Sequence, residues 1–354
     1  MYFVRKKIIT MNQISPPQED TLKQLSPTKV ILPILIGVGF TIYSFFTKYK
    51  IEDLSFLAEA SINGILATVL VLAIRDFGYM YRIKHLTGHQ LNWKSSFYSI
   101  MLWEFASAVT PSAVGGTVVA TFILSKEGLS FGKAVAYVVI TAVLDNLFFI
   151  VAGAVVLLIY QGSIFEGMNS YVPIGFGISY TLISVYTFFM AYGVFMKPRA
   201  FKWLLLKATS FSFTRRWRNA ANEQGNEIIL ASQEIRGKDV TYWAKAALVT
   251  IFVWSARYLM LNTLVEAFTD QSLLSHLFIF AKNIVLWVFM LVSITPGASG
   301  QAELGFEQLY QAELGGYSGL VAIVSRIFSY YPYLLIGMLL LPRWIQRVFA
   351  EKNK

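Results

Sequence analysis

Apolar residues run along this chain in long blocks, without the short alternating segments that would mark a β-barrel. The blocks span about Val30–Phe46, Ala60–Tyr81, Phe97–Leu124, Ala134–Tyr160, Val172–Met196, Ala246–Val265, Leu277–Glu313 and Tyr317–Leu341. Several approach or exceed the roughly 18 uncharged residues that cross a bilayer as a helix. The pattern predicts an all-α polytopic membrane protein.

Two blocks are interrupted. Residues 110–116 read "TPSAVGG", and residues 295–303 read "TPGASGQAE". Uninterrupted, 97–124 would be a helix about 42 Å long, against a hydrocarbon core of about 30 Å. Split at Pro111, each arm is about 20 Å, enough to reach the middle and turn back. Lys94 precedes this block, and Lys126 and Lys133 follow it. The positive-inside rule puts both ends on the cytoplasmic side and predicts a re-entrant hairpin at 97–124. The block 277–313 has the same form without basic flanks, which predicts a second hairpin with external ends. A local kink would explain either break alone. Two matched breaks with opposite flanks favour hairpins, giving about six spans, or eight if the hairpins cross.

The breaks also match in sequence. "IMLWEFASAVTPSAVGG" begins at Ile100 and "IVLWVFMLVSITPGASGQ" at Ile284. Each has Ile-x-Leu-Trp, a Thr-Pro seven or eight residues after the Trp, and small residues beyond. Each half reads span, span, hairpin, span. The odd number of spans turns the second half upside down, the inverted-topology plan of many transporters. The expected units are a cytoplasmic tail (1–29), a first membrane repeat (30–160), a second (161–342) containing a cytoplasmic loop at 197–240, and a cytoplasmic tail (343–354). That loop carries nine Lys/Arg against four Asp/Glu.

Composition agrees: hydrophobic residues are 56% of 354 and charged residues 14%. The net charge of +10 is concentrated between apolar blocks, where it orients the chain and meets anionic lipid, and this argues against nucleic acid. Arg215, Arg216 and Arg218 read as such a lipid-facing surface. Cysteine is absent, so disulfides and thiolate metal sites are excluded. No Walker A, Rossmann, HExxH or GxSxG pattern occurs, and no cofactor is expected. His85 and His89 stand four apart, but with no carboxylates at ligand spacing they read as a solvated loop. The basic N-terminus lies too far from the first apolar block for a cleaved signal peptide. The reading is an integral plasma (inner) membrane protein with both termini cytoplasmic.

Ionisable groups at bilayer depth are costly and face partners or wet cavities. The candidates are Glu104, Asp145, Arg257 and Lys282, with Glu303, Glu307 and Arg326. They cluster in and around the hairpins, which predicts a polar cavity between the repeats. Thr110-Pro111 and Thr295-Pro296 each fit an N-cap followed by proline at the first helical position. With Ser112, Gly115 and Gly116 beyond the first, and Gly297, Ser299 and Gly300 beyond the second, these ends offer backbone N–H groups to an anion. The three cations could add charge-assisted contacts, while Glu303 and Asp145 could bind a cationic group or carry a proton. Asp145 and Arg326 sit in corresponding spans, and a pairing across the pseudo-two-fold axis is expected.

"TPGASGQAE" resembles the Pro-Gly-Gly-x-Gly-x-x-Glu motif of the lysylphosphatidylglycerol synthase transmembrane region, the flippase-like family. Pro296, Gly297, Gly300 and Glu303 match, and Ala298 replaces the middle glycine. "TPSAVGG…LSKEGLSFGKAVAYVVITAVLDN" resembles the family's first motif through Pro111, Gly115, Gly116, Gly128, Ser130 and Asp145. Many relatives have Glu at the second of the two glycines and Arg soon after. Here Gly116 is followed by Thr117, Val118 and Val119. The resemblance covers roughly 30–342 and implies a protein that moves lipids or lipid-linked groups between leaflets. The synthase adds a soluble aminoacyl-transfer domain. Since this chain ends at Lys354, just past its last span, no such domain is expected. The expected partners are membrane lipids, anionic or lipid-linked, and a homo-oligomer is compatible with the pattern. An ion-coupled carrier of a small anion, an intramembrane lipid-modifying enzyme and a non-transporting envelope component remain alternatives.

Overall fold

The computed structural model describes residues 49–350, with Gly39, Phe46 and Thr47 before them, apart from residues 111, 212–213, 292–294, 296–297 and 299. The expected first span, 30–46, therefore lies outside the described residues, except for its last position and Gly39. So do Pro111, Pro296, Gly297 and Ser299, while Ser112 and Gly115 are described only as helical backbone.

All regular structure among the described residues is helical. We number the helices α1 (Ile62–Leu86), α2 (Trp93–Val109), α3 (Ser112–Lys126), α4 (Phe131–Tyr160), α5 (Tyr171–Ala191), α6 (Pro198–Ala208), α7 (Arg218–Arg236), α8 (Val240–Glu266), α9 (Leu273–Met290), α10 (Gln301–Leu314), α11 (Ser318–Ser329) and α12 (Tyr331–Ala350). Polar residues stop the apolar runs by capping the next helix. The side chains of Asn92, Ser130, Asp239 and Ser272 accept from the backbone N–H groups of Ser95, Lys133, Tyr242 and Ser275. The Gly-Leu-Ser stretch before α4 has a local reason: Gly128 takes a left-handed φ of 110°, and Ser130 caps the helix.

Among the described residues, six helical stretches are long and apolar enough to cross a membrane: Ile62–Leu86, Phe131–Phe165, Tyr171–Met196, Val240–Glu266, Leu273–Met290 and Gln301–Val348. Four of them fall on the expected spans 60–81, 134–160, 172–196 and 246–265, and the differences lie in the last third of the chain. The arm beginning at Leu273 is itself long enough to cross. The expected single span Tyr317–Leu341 is two helices, α11 and α12, whose axis breaks at Tyr330 (φ −125°, ψ −59°). The expected loop 197–240 is largely helical: Pro198 starts α6 at its first turn, and α6 packs on α7.

The helices meet where residues are small, as membrane helices must when dispersion replaces the hydrophobic effect as the driving force. Helices α1 and α8 pack along most of their lengths. A Cβ on Gly64 would stand 2.6 Å from Ala267 Cα, and one on Gly78 2.5 Å from Val253 Cγ1. The Thr68 and Thr263 hydroxyls meet between them at 3.0 Å. Helices α2 and α3 fold against each other across the Thr-Pro break, so closely that a Cβ on Gly116 would stand 3.1 Å from Ser107 Cα. α12 lies against α2, where Tyr330 Oη donates to the Ala108 carbonyl at 3.0 Å and Gly337 lets Phe105 in. Buried Trp344, on the same helix, ties to α3 through an indole N–H to Glu127 at 2.6 Å.

Candidate functional site

The bundle forms a partly open cavity of about 380 Å³. Its walls come from both halves of the chain. Helices α1 to α4 contribute Arg82, Glu104, Thr117 and Asp145, and helices α8 to α12 contribute Arg257, Trp287, Glu303, Arg326 and Tyr333. Thr110, from the first break, and Thr295 and Ala298, from the second, line the same space. The residues are mostly aromatic and apolar, with three arginines facing three carboxylates.

Each carboxylate has its own arginine. Asp145, in mid-α4, is gripped on both oxygens by the Arg82 guanidinium, with Nη2 to Oδ2 at 3.2 Å, and Trp254 Nε1 donates to Oδ1 at 2.7 Å. Glu303 takes Arg326 Nε on one oxygen at 2.9 Å and the Gly300 N–H on the other at 2.6 Å. It thus closes the N-terminus of α10 and joins it to α11. Glu104 takes Arg257 Nη1 at 3.3 Å and lies 3.8 Å from Arg75 Nη2. Arg75 is fully buried behind the wall, where it donates to Asp76 at 2.6 and 3.0 Å and to Tyr333 Oη at 2.5 Å. Such pairing keeps full charges buried among apolar helices, where a lone charge would cost several kcal/mol. Aromatic faces supplement it: the Arg257 guanidinium carbon sits 4.3 Å from the Trp287 ring centre and Arg326's 4.9 Å from that of Tyr330.

This arrangement corrects several expectations. Asp145 and Arg326 do not pair with each other, because nearer partners, Arg82 and Glu303, take them. Lys282 does not line the cavity; it is buried in α9, bonded to Glu313 at 2.7 and 2.9 Å. Glu307 is likewise absent from the wall. Thr110 does not cap α3. Its hydroxyl bonds back to the Ala106 carbonyl at 2.6 Å, ending α2. Nor does Thr295 cap the second arm, which begins six residues later with Gly300 at the cap in a left-handed φ of 89°. Gly116 and Gly300 serve close approach and turning, and neither forms part of the cavity wall. His85 is not in a solvated loop: it is buried on the last turn of α1, its Nε2 3.0 Å from the Tyr242 carbonyl. Arg82, just past the end of the apolar block 60–81 and not among the candidates, is a principal cation of the site. The missed signal was spacing: Arg75, Tyr79 and Arg82 stand four and three apart and share a face of α1, which continues to Leu86.

A helical bundle with this many apolar spans and a charged, aromatic-walled interior defines an integral membrane protein. The family can be named as well. A sequence model of the lysylphosphatidylglycerol synthase TM region matches residues 30–337, and the chain belongs to that family. It is also similar to a UPF0104 membrane protein of Archaeoglobus fulgidus, 24% identical over 327 residues, covering 87% of this chain and 94% of the relative.

Proposed function

We propose that the protein is a lipid translocase, moving a phospholipid or lipid-linked group between leaflets with its headgroup in the cavity and its acyl chains left in the bilayer. The observation that carries the reading is the cavity itself. Paired charges and aromatic rings from both halves of the chain surround a headgroup-sized space inside an otherwise apolar bundle. The size falls within the range of small-ligand sites. Family membership adds support, since the family takes its name from the membrane part of a lipid-handling synthase.

In this reading the two halves form an inverted repeat. The α2–α3 hairpin and the α9–α10 pair enter from opposite faces as re-entrant elements, and both termini face the cytoplasm. The sequence match between the breaks supports it, as does the placement of Thr110 and Thr295 on one cavity wall. Broken backbone is tolerated at depth where it borders a polar space.

Proteoliposomes containing a headgroup-labelled lipid and exposed to dithionite test the proposal. The expected result is faster loss of the inner-leaflet signal than in empty liposomes, slowed by Arg257→Gln. No acceleration for any of several headgroups refutes it.

A further inference from the structure

The three arginines on the wall are not equally committed. A guanidinium has five N–H donors. Arg82 forks onto Asp145, and Arg326 is fastened to Glu303. Arg257 makes one ion pair, 3.3 Å to Glu104 and long for a charge-assisted bond, which runs about 2.7–2.9 Å, beside a hydrogen bond with the Tyr79 side chain. Its guanidinium lies against the Trp287 ring.

Beside it are two further groups with unmet capacity. The Tyr258 hydroxyl and the Trp287 indole N–H are buried and, among the described residues, have no hydrogen-bond partner. Tyr258 is 2% exposed, and both residues line the cavity. An indole N–H can only donate, and so can a guanidinium. Buried donors left unmet cost about 1–3 kcal/mol each, so their natural complement is an oxygen-rich acceptor. The carboxylates offer much less to a cationic group. Asp145 already holds a guanidinium and an indole, and Glu303 holds a guanidinium and a backbone N–H. Glu104 is the loosest of the three, and it has a second arginine, Arg75, at 3.8 Å.

We propose that the cavity recognises its ligand through a phosphodiester held by Arg257, Tyr258 and Trp287, and that Glu104 is the resident counter-anion the phosphate displaces. This rests on the reading of the cavity as a headgroup site and narrows it to headgroups whose recognised part is the phosphate, with no ammonium group required. Binding exchanges the long Glu104–Arg257 contact for shorter bonds to phosphate oxygens. Glu104 keeps Arg75, so no carboxylate is stranded. On release Glu104 returns to Arg257, which keeps the empty site from holding the ligand too tightly.

Titration of the full chain in detergent with dihexanoyl-phosphatidylglycerol, followed by tryptophan fluorescence, tests this. Arg257→Gln is expected to weaken binding at least about tenfold, the equivalent of one charge-assisted hydrogen bond. Trp287→Phe, which keeps the ring and removes the N–H, is expected to weaken it severalfold. Glu104→Gln is expected to tighten it, a sign that a merely structural role would not give. Unchanged affinity in Arg257→Gln and Trp287→Phe overturns the proposal. So does tighter binding of dihexanoyl-phosphatidylethanolamine that Glu104→Gln abolishes, since Glu104 would then be an ammonium acceptor. Glycerol 3-phosphate and inorganic phosphate separate the sources. Binding weaker than the lipid's assigns the phosphate to a lipid, and equal binding overturns the lipid assignment in favour of a soluble ester. Failure of the translocase reading shows separately, as lipid binding without transbilayer movement in proteoliposomes.

Discussion

Glu303 and Arg326 form a pair whose coupling can be worked out in advance. Each side chain is 10% exposed, so removing one partner leaves the other as a nearly buried charge. Breaking a buried pair costs about 3–5 kcal/mol, and the polar cavity beside this one favours the lower end, about 3 kcal/mol. Arg326→Gln leaves Glu303 with only the Gly300 N–H at 2.6 Å. Glu303→Gln leaves Arg326 without its carboxylate. The double variant leaves neither charge, and its cost is expected to fall at least about 2 kcal/mol below the sum of the single costs. Unfolding of the purified protein in mixed micelles, monitored by helix content, measures all three. Arg326→Gln combined with Asp145→Asn is the control. These residues answer to different partners, so their costs are expected to add within about 0.5 kcal/mol. Additive costs for Glu303 with Arg326, or strong coupling of Arg326 with Asp145, would refute the assignment of partners.

Three further outcomes follow from the packing. Gly116→Leu is expected to part α2 from α3 where Gly116 meets Ser107, costing about 1–3 kcal/mol of stability in the same assay and depressing lipid movement. Lys282→Met is expected to destabilise by about 3 kcal/mol by stranding Glu313 (side chain 11% exposed), with Lys282→Met/Glu313→Leu recovering most of it; because Lys282 is off the cavity wall, lipid affinity stays at the wild-type value in the titration. Trp203 and Leu204 are exposed on α6 among Arg199, Lys202 and Lys207, the composition of a helix lying on an anionic bilayer. Trp203 emission, isolated by comparison with Trp203→Phe, is expected to be quenched by brominated phosphatidylglycerol more than by brominated phosphatidylcholine.

What the sequence revealed depended on how local each cause was. Long apolar blocks gave the all-helical membrane class, because crossing a bilayer demands them one segment at a time. The two Thr-Pro breaks were visible for the same reason, and both threonines reach the cavity. The capping geometry was not legible. Thr110 and Thr295 have cap chemistry, yet one hydroxyl turns back to Ala106 and the other residue lies six positions before α10 begins. Partners distant in sequence were beyond reach. Arg82 meets Asp145 63 residues away, and Lys282 meets Glu313 31 away, through helix packing that no spacing rule encodes. The amphipathic run in 198–208 was hidden by its charge, which made a helix look like a loop.

Ala298 adds a consequence of its own. It stands on the cavity wall, in the second break, with a left-handed φ of 54°. A side chain there costs about 1–2 kcal/mol where glycine costs almost nothing. A glycine would leave the tip many shapes to sample, and an incoming ligand would have to spend binding energy selecting one. The alanine methyl removes most of those shapes beforehand. The chain accepts a small standing loss of stability and gains a left-handed backbone at position 298 that is restricted before the ligand arrives.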